Sequence, residues 1–225
     1  MSEVIYGQYD SNEYTLKRFY ESELPKTIKD IMMKLNQNNL AVFRGGLAFV
    51  YLLDEKEYLL KDLDMVACTQ SLEKIISYLV DSDIVYVNKN TFGDSVITAF
   101  WKIIDDYYKL DILLSEEMPC VCVKNIDGEV LHIVTPSYLW RNRIEKIAEK
   151  TIRKHDDKKT LNHYRVATAL GQYLYKNRIE LDEKDVDLVR KKLSAVQDIL
   201  SKLLPKMEVE EFIKLHSELV RSRFK

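Results

Sequence analysis

Three acidic residues on two apolar segments are the part of this chain best suited to chemistry. Asp62 and Asp64 are two positions apart in residues 61–66, and Asp111 lies in residues 109–114; both segments are otherwise rich in Leu, Ile, Met and Val. Side chains alternate between the two faces of a strand, so Asp62 and Asp64 are expected to point the same way. If the strand that carries Asp111 belongs to the same sheet, three carboxylates share one patch.

Carboxylates that share a patch repel one another unless protons or hard cations neutralise them. Oxygen ligands suit Mg²⁺ or Mn²⁺, and a metal site of this kind is typical of phosphoryl transfer. Each motif also has a simpler explanation, because Asp-x-Asp is common on half-buried strands and the pair Gly45-Gly46 by itself indicates only a turn or a helix start. Their order along the chain, with Asp111 on an apolar strand, favours an active site over these explanations.

The order of these motifs resembles the DNA polymerase beta-like nucleotidyltransferase superfamily. Its core carries Gly-Gly or Gly-Ser after a strand, Asp-x-Asp on the next strand, and a third Asp later. Residues 45–53 (Gly-Gly-Leu-Ala-Phe-Val-Tyr-Leu-Leu) look most like the minimal AbiEii-type enzymes, which are toxins of bacterial toxin-antitoxin systems. Those usually have Arg-x-Ser ahead of the first Asp, whereas residues 58–61 here are Tyr-Leu-Leu-Lys. The resemblance covers residues 27–165.

The resemblance implies an α/β fold, with a nucleotidyltransferase-type mixed sheet flanked by helices and a C-terminal helical region after it. It implies a metal-dependent enzyme that moves a nucleoside monophosphate from a nucleoside triphosphate (NTP) to an acceptor hydroxyl, with Mg²⁺ or Mn²⁺ as the cofactor. For Arg44 and Lys61, a solvated flank beside acidic residues is an equal alternative to binding. The implied catalytic and metal-binding residues are Asp62, Asp64 and Asp111, and the implied nucleotide-binding residues are Gly45, Gly46, Arg44 and Lys61.

The acceptor is left open by the residues, so RNA or tRNA, a protein and a small molecule all remain candidates. A toxin-antitoxin or phage-defence role follows from the AbiEii-type resemblance, with an antitoxin protein as a partner. Two alternatives stay open. One is a catalytically idle module of the same fold that binds a nucleotide, a protein or RNA. The other is an antibiotic-modifying nucleotidyltransferase, which predicts an acidic cleft for a cationic drug.

Composition indicates a folded protein without a general affinity for polyanions. The 225 residues are 46% hydrophobic and 31% charged, and the net charge is −2. Residues 1–12 carry no signal-like apolar core, and no apolar run approaches the roughly 20 residues of a membrane span. We therefore expect a cytoplasmic protein with no membrane partner, in which Cys68, Cys120 and Cys122 are buried reduced thiols.

The periodicity of apolar residues predicts a catalytic core in residues 1–135 and a helical region in residues 136–225 that packs on it. In the core we expect a helix over 13–37 with a break at Leu24-Pro25, a strand at 40–43, helices at 46–53 and 71–81, a strand at 84–87, and hairpins joining 95–104 to 108–115 and 120–124 to 130–134. In the helical region we expect a helix capped by Thr135 with Pro136 at its first position, then helices near 159–177, 182–204 and 208–223.

The segment 141–159 is rich in basic residues that alternate with acidic ones. By resemblance, its cations could contact nucleotide or acceptor; these are Lys146, Lys150, Arg153, Lys158 and Lys159. The residues themselves favour a solvated helix laced with salt bridges. A metal site at His155 and His163 is disfavoured, because their spacing meets no known rule for metal ligands.

Overall fold

One mixed β-sheet dominates the first part of the chain, and helices make up the rest. The computed structural model describes residues 3–89 and 94–222, which contain eight strands and seven α-helices. The strands are β1 (Glu3–Tyr6), β2 (Ala41–Arg44), β3 (Leu63–Cys68), β4 (Ile84–Lys89), β5 (Ser95–Ile103), β6 (Asp106–Ser115), β7 (Val121–Ile126) and β8 (Glu129–Val134). The helices are α1 (Lys26–Gln37), α2 (Gly45–Leu53), α3 (Leu72–Tyr78), α4 (Pro136–Ala148), α5 (Asp157–Lys176), α6 (Glu183–Leu200) and α7 (Lys206–Ser222).

The strands lie in the order β1-β4-β5-β6-β3-β2-β8-β7. Strands β1 and β4, β3 and β6, and β2 and β8 are parallel pairs, while the other neighbours are antiparallel. The predicted α/β class is confirmed. Parallel pairing of β3 with β6 requires a long connection, which α3, β4 and β5 supply.

Strand β6 shows how the sequence separates a core face from a site face. Tyr108, Leu110 and Ile112 are at most 2% exposed, and they alternate with the half-buried Lys109 and Asp111. Burying the apolar set stabilises the strand by roughly 1.5–3 kcal/mol for each large side chain, which fixes which face looks inward. A slip of one residue would bury both charged groups, so the pattern also fixes the register.

The chain divides into two compact units, Met1–Val134 and Thr135–Lys225. In the second unit, α4 contacts α5 and α6, and α6 contacts α7. Thr135 accepts a hydrogen bond from the backbone N–H of Tyr138 at 3.3 Å, and Pro136 occupies the first helical position, as predicted. The packing of the helical region on the catalytic core stays a prediction.

The helix predicted over residues 13–24 is wrong. This segment contains only short 3₁₀ turns, and it is bound to the sheet by isolated bridges from Leu16 to Tyr107 and from Phe19 to Leu60. Pro25 has no backbone N–H and its ring clashes with the preceding turn of a helix, so α1 starts after it. Phe19 is fully buried, and long-range burial of its ring outweighs the local helical periodicity.

Most other predicted elements are confirmed, with ends that shift by one to a few residues. Both predicted hairpins form, and Ile104 in the turn between β5 and β6 has a φ of 61° and is 86% exposed. Residue 223, the predicted end of the last helix, lies outside the described residues. The expected burial of the cysteines is wrong, because Cys120 is exposed and Cys68 and Cys122, near strand ends, are half-buried. In the described ranges, no helix combines the length and the apolar character that crossing a membrane requires.

A fully buried histidine anchors the helical unit. The Nε1–H of Trp140 donates a hydrogen bond to Nδ1 of His216 at 2.9 Å, and both side chains are 0% exposed. Gly171 makes room for the ring, because a Cβ there would stand 2.6 Å from Cε1 of His216. Burial lowers the pKa of His216 from 6.5 to about 3.

We predict an acid-sensitive stability that depends on His216. Below pH 6.5 the unfolded imidazole binds a proton while the folded one resists it, so stability is lost as the pH falls from 6.5 towards 3. The loss between pH 7 and pH 5 should be about 2 kcal/mol, at 1.36 kcal/mol for each pH unit. Urea unfolding at a series of pH values measures it, and His216→Gln should reduce the loss by about this amount, while His155 and His163 keep their own contributions. An equally steep dependence in the variant would contradict this assignment.

Candidate active site

Four side chains form a row across the centre of the sheet. Asp64 on β3 and Asp111 on β6 are directly opposed, Arg44 on β2 opposes Asp64, and Thr98 on β5 opposes Asp111. Directly opposed residues in a sheet point to the same face. The row therefore places two carboxylates side by side, with a guanidinium at one end and a hydroxyl at the other.

Gly45 lets the chain turn tightly against Asp64. Its φ is +68°, and a Cβ at this position would lie 2.0 Å from Oδ2 of Asp64. Gly46 is restricted by packing, because a Cβ there would lie 2.8 Å from Cδ2 of Leu60. A side chain at either position would displace its neighbour, so the two glycines bring the start of α2 against the carboxylate.

Helix α2 has its two ends in complementary environments. Its first residue is Gly45, beside Asp64, and Arg44 makes no side-chain capping bond to it. At the other end, Nζ of Lys124 donates hydrogen bonds to the carbonyl oxygens of Tyr51 and Leu52, at 2.5 and 2.7 Å. A cation at the C-terminus satisfies the final carbonyls, and the N-terminus keeps N–H groups suited to an anion.

Both oxygens of Asp111 have partners. The hydroxyl of Thr98 donates to Oδ1 at 2.8 Å, and Nζ of Lys109 lies 2.6 Å from Oδ2. Lys109 precedes Asp111 by two residues in β6, so the two side chains share a face. Their side chains are 12% and 23% exposed, so the ion pair is partly shielded from water.

Burial and charge act in opposite directions on this pair. Burial disfavours the ammonium of Lys109, but Asp111, Tyr9 and Asp62 outweigh it and raise the pKa of Lys109. Burial also raises the pKa of Asp111, with a further contribution from Asp64, while Lys109 and Thr98 oppose the shift. Lys109 is therefore a cation at neutral pH that offsets the negative charge of the carboxylate row.

The other predicted site residues lie at the edges of this arrangement. Asp62 lies in the bend before β3 rather than on the strand, and its charge acts on Lys109. Lys61 is exposed in the same bend and does not line the cavity described next. The structure thus brings Asp64, Asp111 and Arg44 together, with Asp62 nearby and Lys61 turned to solvent.

A cavity of about 570 Å³ opens over the row. Sequence reasoning missed the residues that reach it from the N-terminal segment and from β4. The rings of Tyr9 and Phe100 make an edge-to-face contact with centroids 5.2 Å apart. Nζ of Lys109 lies 5.8 Å from the centroid of the Tyr9 ring. Sequence reasoning also missed Lys109 on β6, although its spacing of two residues from Asp111 indicated that the two side chains share a face. The lining residues are Gln8, Tyr9, Arg44, Asp64, Met65, Asn88, Lys89, Val96, Thr98, Asp111 and Leu113.

The fit of this site to a metal ion can be judged from its donor atoms. Within the described ranges, no three His, Cys, Asp or Glu side chains stand together as a ready metal cluster. The donors nearest to one are the carboxylates of Asp64 and Asp111, and oxygen donors suit Mg²⁺ or Mn²⁺. Lys109 already supplies a positive charge at Asp111, at the place where a divalent ion would stand. The donor set therefore fits a divalent ion that replaces this ammonium.

Comparisons with known proteins give matches among solved structures. The chain matches no known family model and no curated protein sequence. An antigenic nucleotidyltransferase-like protein from Paracoccidioides brasiliensis has a TM-score of 0.54 at 13% identity, covering 88% of this chain and 95% of that one. ANT(2″)-Ia with adenylyl-2″-tobramycin has a TM-score of 0.46 at 18% identity, covering 74% and 95%. JHP933 from Helicobacter pylori has a TM-score of 0.41 at 15% identity, covering 88% and 90%.

The likeness to the P. brasiliensis protein shows the fold. It spans nearly the whole of both chains, and the other two likenesses carry no argument at their lower TM-scores. The predicted nucleotidyltransferase-type fold is confirmed, with a mixed sheet, flanking helices and a helical region after it. The AbiEii-type subgroup stays a prediction.

We predict that Gly45→Ala disrupts the row specifically. The new methyl group would overlap Oδ2 of Asp64, and the alanine would have to adopt a positive φ that is unfavourable for it. Gly128→Ala is the matched control, because its φ is +88° but nothing lies within 4 Å of its Cβ. Thermal unfolding should show the Gly45 variant less stable than the control by about 1–3 kcal/mol. Equal losses in both variants would show that the contact with Asp64 is unimportant.

Proposed function

We propose that this protein is a metal-dependent nucleotidyltransferase, which moves a nucleoside monophosphate from an NTP to an acceptor hydroxyl and releases pyrophosphate. The observation that carries the proposal is the direct opposition of Asp64 and Asp111, with the N-terminus of α2 held against Asp64 by Gly45. The nucleotidyltransferase-type fold supports it. Carboxylates beside a glycine-rich helix start combine a cation site with an anion site, as an NTP and its metal require.

In this proposal the carboxylates and α2 divide the work of binding. Asp64 and Asp111, with Asp62 from the adjacent bend, would hold Mg²⁺ or Mn²⁺, which when bound would neutralise negative charge on the triphosphate oxygens. The N–H groups at Gly45 and Gly46 receive triphosphate oxygens. The residues that the structure describes give Arg44 no ion pair or hydrogen-bonding side-chain partner, so its guanidinium is available to the same phosphates. Lys61, exposed in the bend, contributes at most long-range charge.

Asp111 is the proposed proton acceptor. The acceptor oxygen forms a bond to the α-phosphorus, the bond to pyrophosphate breaks in line with it, and the hydroxyl proton passes to Asp111. Burial raises the pKa of this carboxyl, which brings it closer to the range in which a carboxylate accepts a proton efficiently. Thr98 fixes Oδ1 through its hydrogen bond, so the carboxylate keeps one orientation.

The catalytically idle module is the second candidate, and Lys109 favours it. An ammonium 2.6 Å from Oδ2 of Asp111 takes the place that a divalent ion needs. The antibiotic-modifying alternative has less support, because it predicts an excess of acidic groups in the cleft. Among the described residues, the charged groups that line the cavity are the carboxylates of Asp64 and Asp111 and the cations Arg44 and Lys89.

The acceptor and the biological setting remain proposals of the same kind. RNA, protein and small hydroxylated molecules are all compatible with an open cavity of this size. The toxin-antitoxin role, with an antitoxin as a partner, rests on the sequence resemblance to AbiEii-type proteins. A transfer experiment that offers several acceptors at once therefore tests the nucleotidyl transfer itself, whichever biological role the protein has.

We predict that purified protein transfers label from an α-labelled NTP to cellular RNA, protein or a small molecule in the presence of Mg²⁺ or Mn²⁺. Asp64→Asn and Asp111→Asn should each lower transfer by at least about a hundredfold, since they remove a metal ligand or the proton acceptor. Asp105→Asn, in the exposed turn before β6, is the matched control and should keep full activity. Binding of NTP without transfer under every condition would favour the idle module.

Lys109 gives a test that does not depend on activity. Lys109→Met removes the ammonium that competes for Asp111, so Mn²⁺ should bind about tenfold more tightly. Electron paramagnetic resonance of free Mn²⁺ during a titration measures this affinity. Lys102→Met, at an exposed lysine on β5, is the control and should leave it unchanged. Weaker binding in the Lys109 variant would show that the lysine supports the metal site instead of competing with it.

A further inference from the structure

The helical unit buries an arginine that lacks a counter-ion. Arg143 on α4 is 5% exposed, and none of the described carboxylates forms an ion pair with it. Its side-chain partner is Nδ1 of His163, 3.3 Å from one terminal nitrogen, and its Nε is buried without any partner. Buried charges in proteins are normally paired, because an uncompensated one is costly. None of the described residues provides an anion to compensate the positive charge of Arg143.

More positive charge surrounds the same point. We call the set Arg143, Lys146, His155, Lys159 and His163 the α4–α5 cationic cluster. The rings of His155 and His163 lie 5.1 Å apart. The pKa of His163 falls to about 2 because of burial and then of the nearby charges of Arg143, Lys146, His155 and Lys159. The pKa of His155 falls to about 4 because of burial and of Lys159, Lys146 and Arg153. At neutral pH both imidazoles are therefore uncharged.

The neutral His163 keeps an N–H group that none of the described residues accepts. Nδ1 of His163 accepts from the guanidinium of Arg143, so the ring proton is on Nε2, which is buried without a partner. His155 differs, because its ring N–H is engaged by the backbone of Lys146. Buried polar atoms are nearly always hydrogen-bonded. Two donors, Nε of Arg143 and Nε2 of His163, are therefore left for a bound group.

The acidic residues of the neighbouring segment are engaged elsewhere. Asp156 accepts from the backbone N–H of Lys159 and caps α5, and Asp157 pairs with Lys150. Glu149 pairs with Arg153 at 2.8 Å and with Lys192 at 3.0 Å. The predicted salt-bridged helix is thus confirmed at Glu149 and Asp157. It is wrong at Arg143, which is buried and forms none of these ion pairs.

We propose that the α4–α5 cationic cluster is a binding site for a phosphate group. Guanidinium, imidazole N–H and ammonium groups are donors, and a phosphate offers only acceptor oxygens with a negative charge. The exposed Lys159 stands at the rim, while Arg143 and His163 form the buried end. The phosphate belongs to a nucleotide or is a free phosphate or pyrophosphate. The site does not depend on the carboxylate row and would hold its ligand without a metal.

Calorimetric titration of the full chain with pyrophosphate, in EDTA, tests the site. The wild type should bind, Arg143→Met should weaken binding about tenfold or more, and Lys159→Met should weaken it about threefold. Lys158→Met, at an adjacent exposed lysine, is the control that should leave binding unchanged. Saturable binding that is equal in the wild type and the Arg143 variant, or no binding by the wild type, would overturn the proposal.

Stability separates binding from a purely structural arginine. In phosphate-free buffer, Arg143→Met should be at least as stable as the wild type, and pyrophosphate should raise the melting temperature of the wild type but not of the variant. A structural arginine would instead make the variant less stable with and without the anion, which would contradict the proposal. If the variant does not fold, Lys159→Met at the exposed rim decides the question through its binding alone. Parallel titrations with ATP and orthophosphate show whether a nucleotide or a free phosphate is the better ligand.

Discussion

The parallel pairing of β3 with β6 is the constraint on which the site depends. Its register puts Asp64 directly beside Asp111, and two adjacent carboxylates are stable only with positive charge close by. Lys109 supplies that charge from the same strand as Asp111, and Thr98 holds the other oxygen. Gly45 then brings the start of α2 against Asp64, so the proposed anion site and the proposed cation site lie side by side.

Partly buried charge marks both units. In the carboxylate row, Asp64 and Asp111 stand beside Arg44 and Lys109, whereas Arg143 in the second unit has no carboxylate partner among the described residues. Folding alone gains little from either arrangement, because isolated buried charges cost stability. A ligand that binds each one would remove this cost, since binding the folded state stabilises it. The proposed ligands are a divalent cation for the first site and a phosphate group for the second.

The sequence predicted the parts of the fold whose signals are local. Alternation along residues 109–114 predicted the strand and the face of Asp111, and Pro25 and Pro136 marked two helix starts. Long-range contacts were the source of error. Phe19 is held by a bridge to Leu60, so its segment is not helical, and Gln8, Tyr9 and Asn88 reach the cavity through tertiary packing that no spacing reveals. The burial of Arg143 was hidden by the many acidic neighbours in its segment.

The most direct test of the central claim is a count of Mn²⁺ ions bound per chain in the presence of a non-hydrolysable NTP analogue. The account predicts that the wild type binds Mn²⁺ together with the analogue, and that Asp64→Asn and Asp111→Asn each abolish this binding while the fold is kept. Mn²⁺ binding that survives both substitutions would contradict the claim that the opposed carboxylates of β3 and β6 form the metal site.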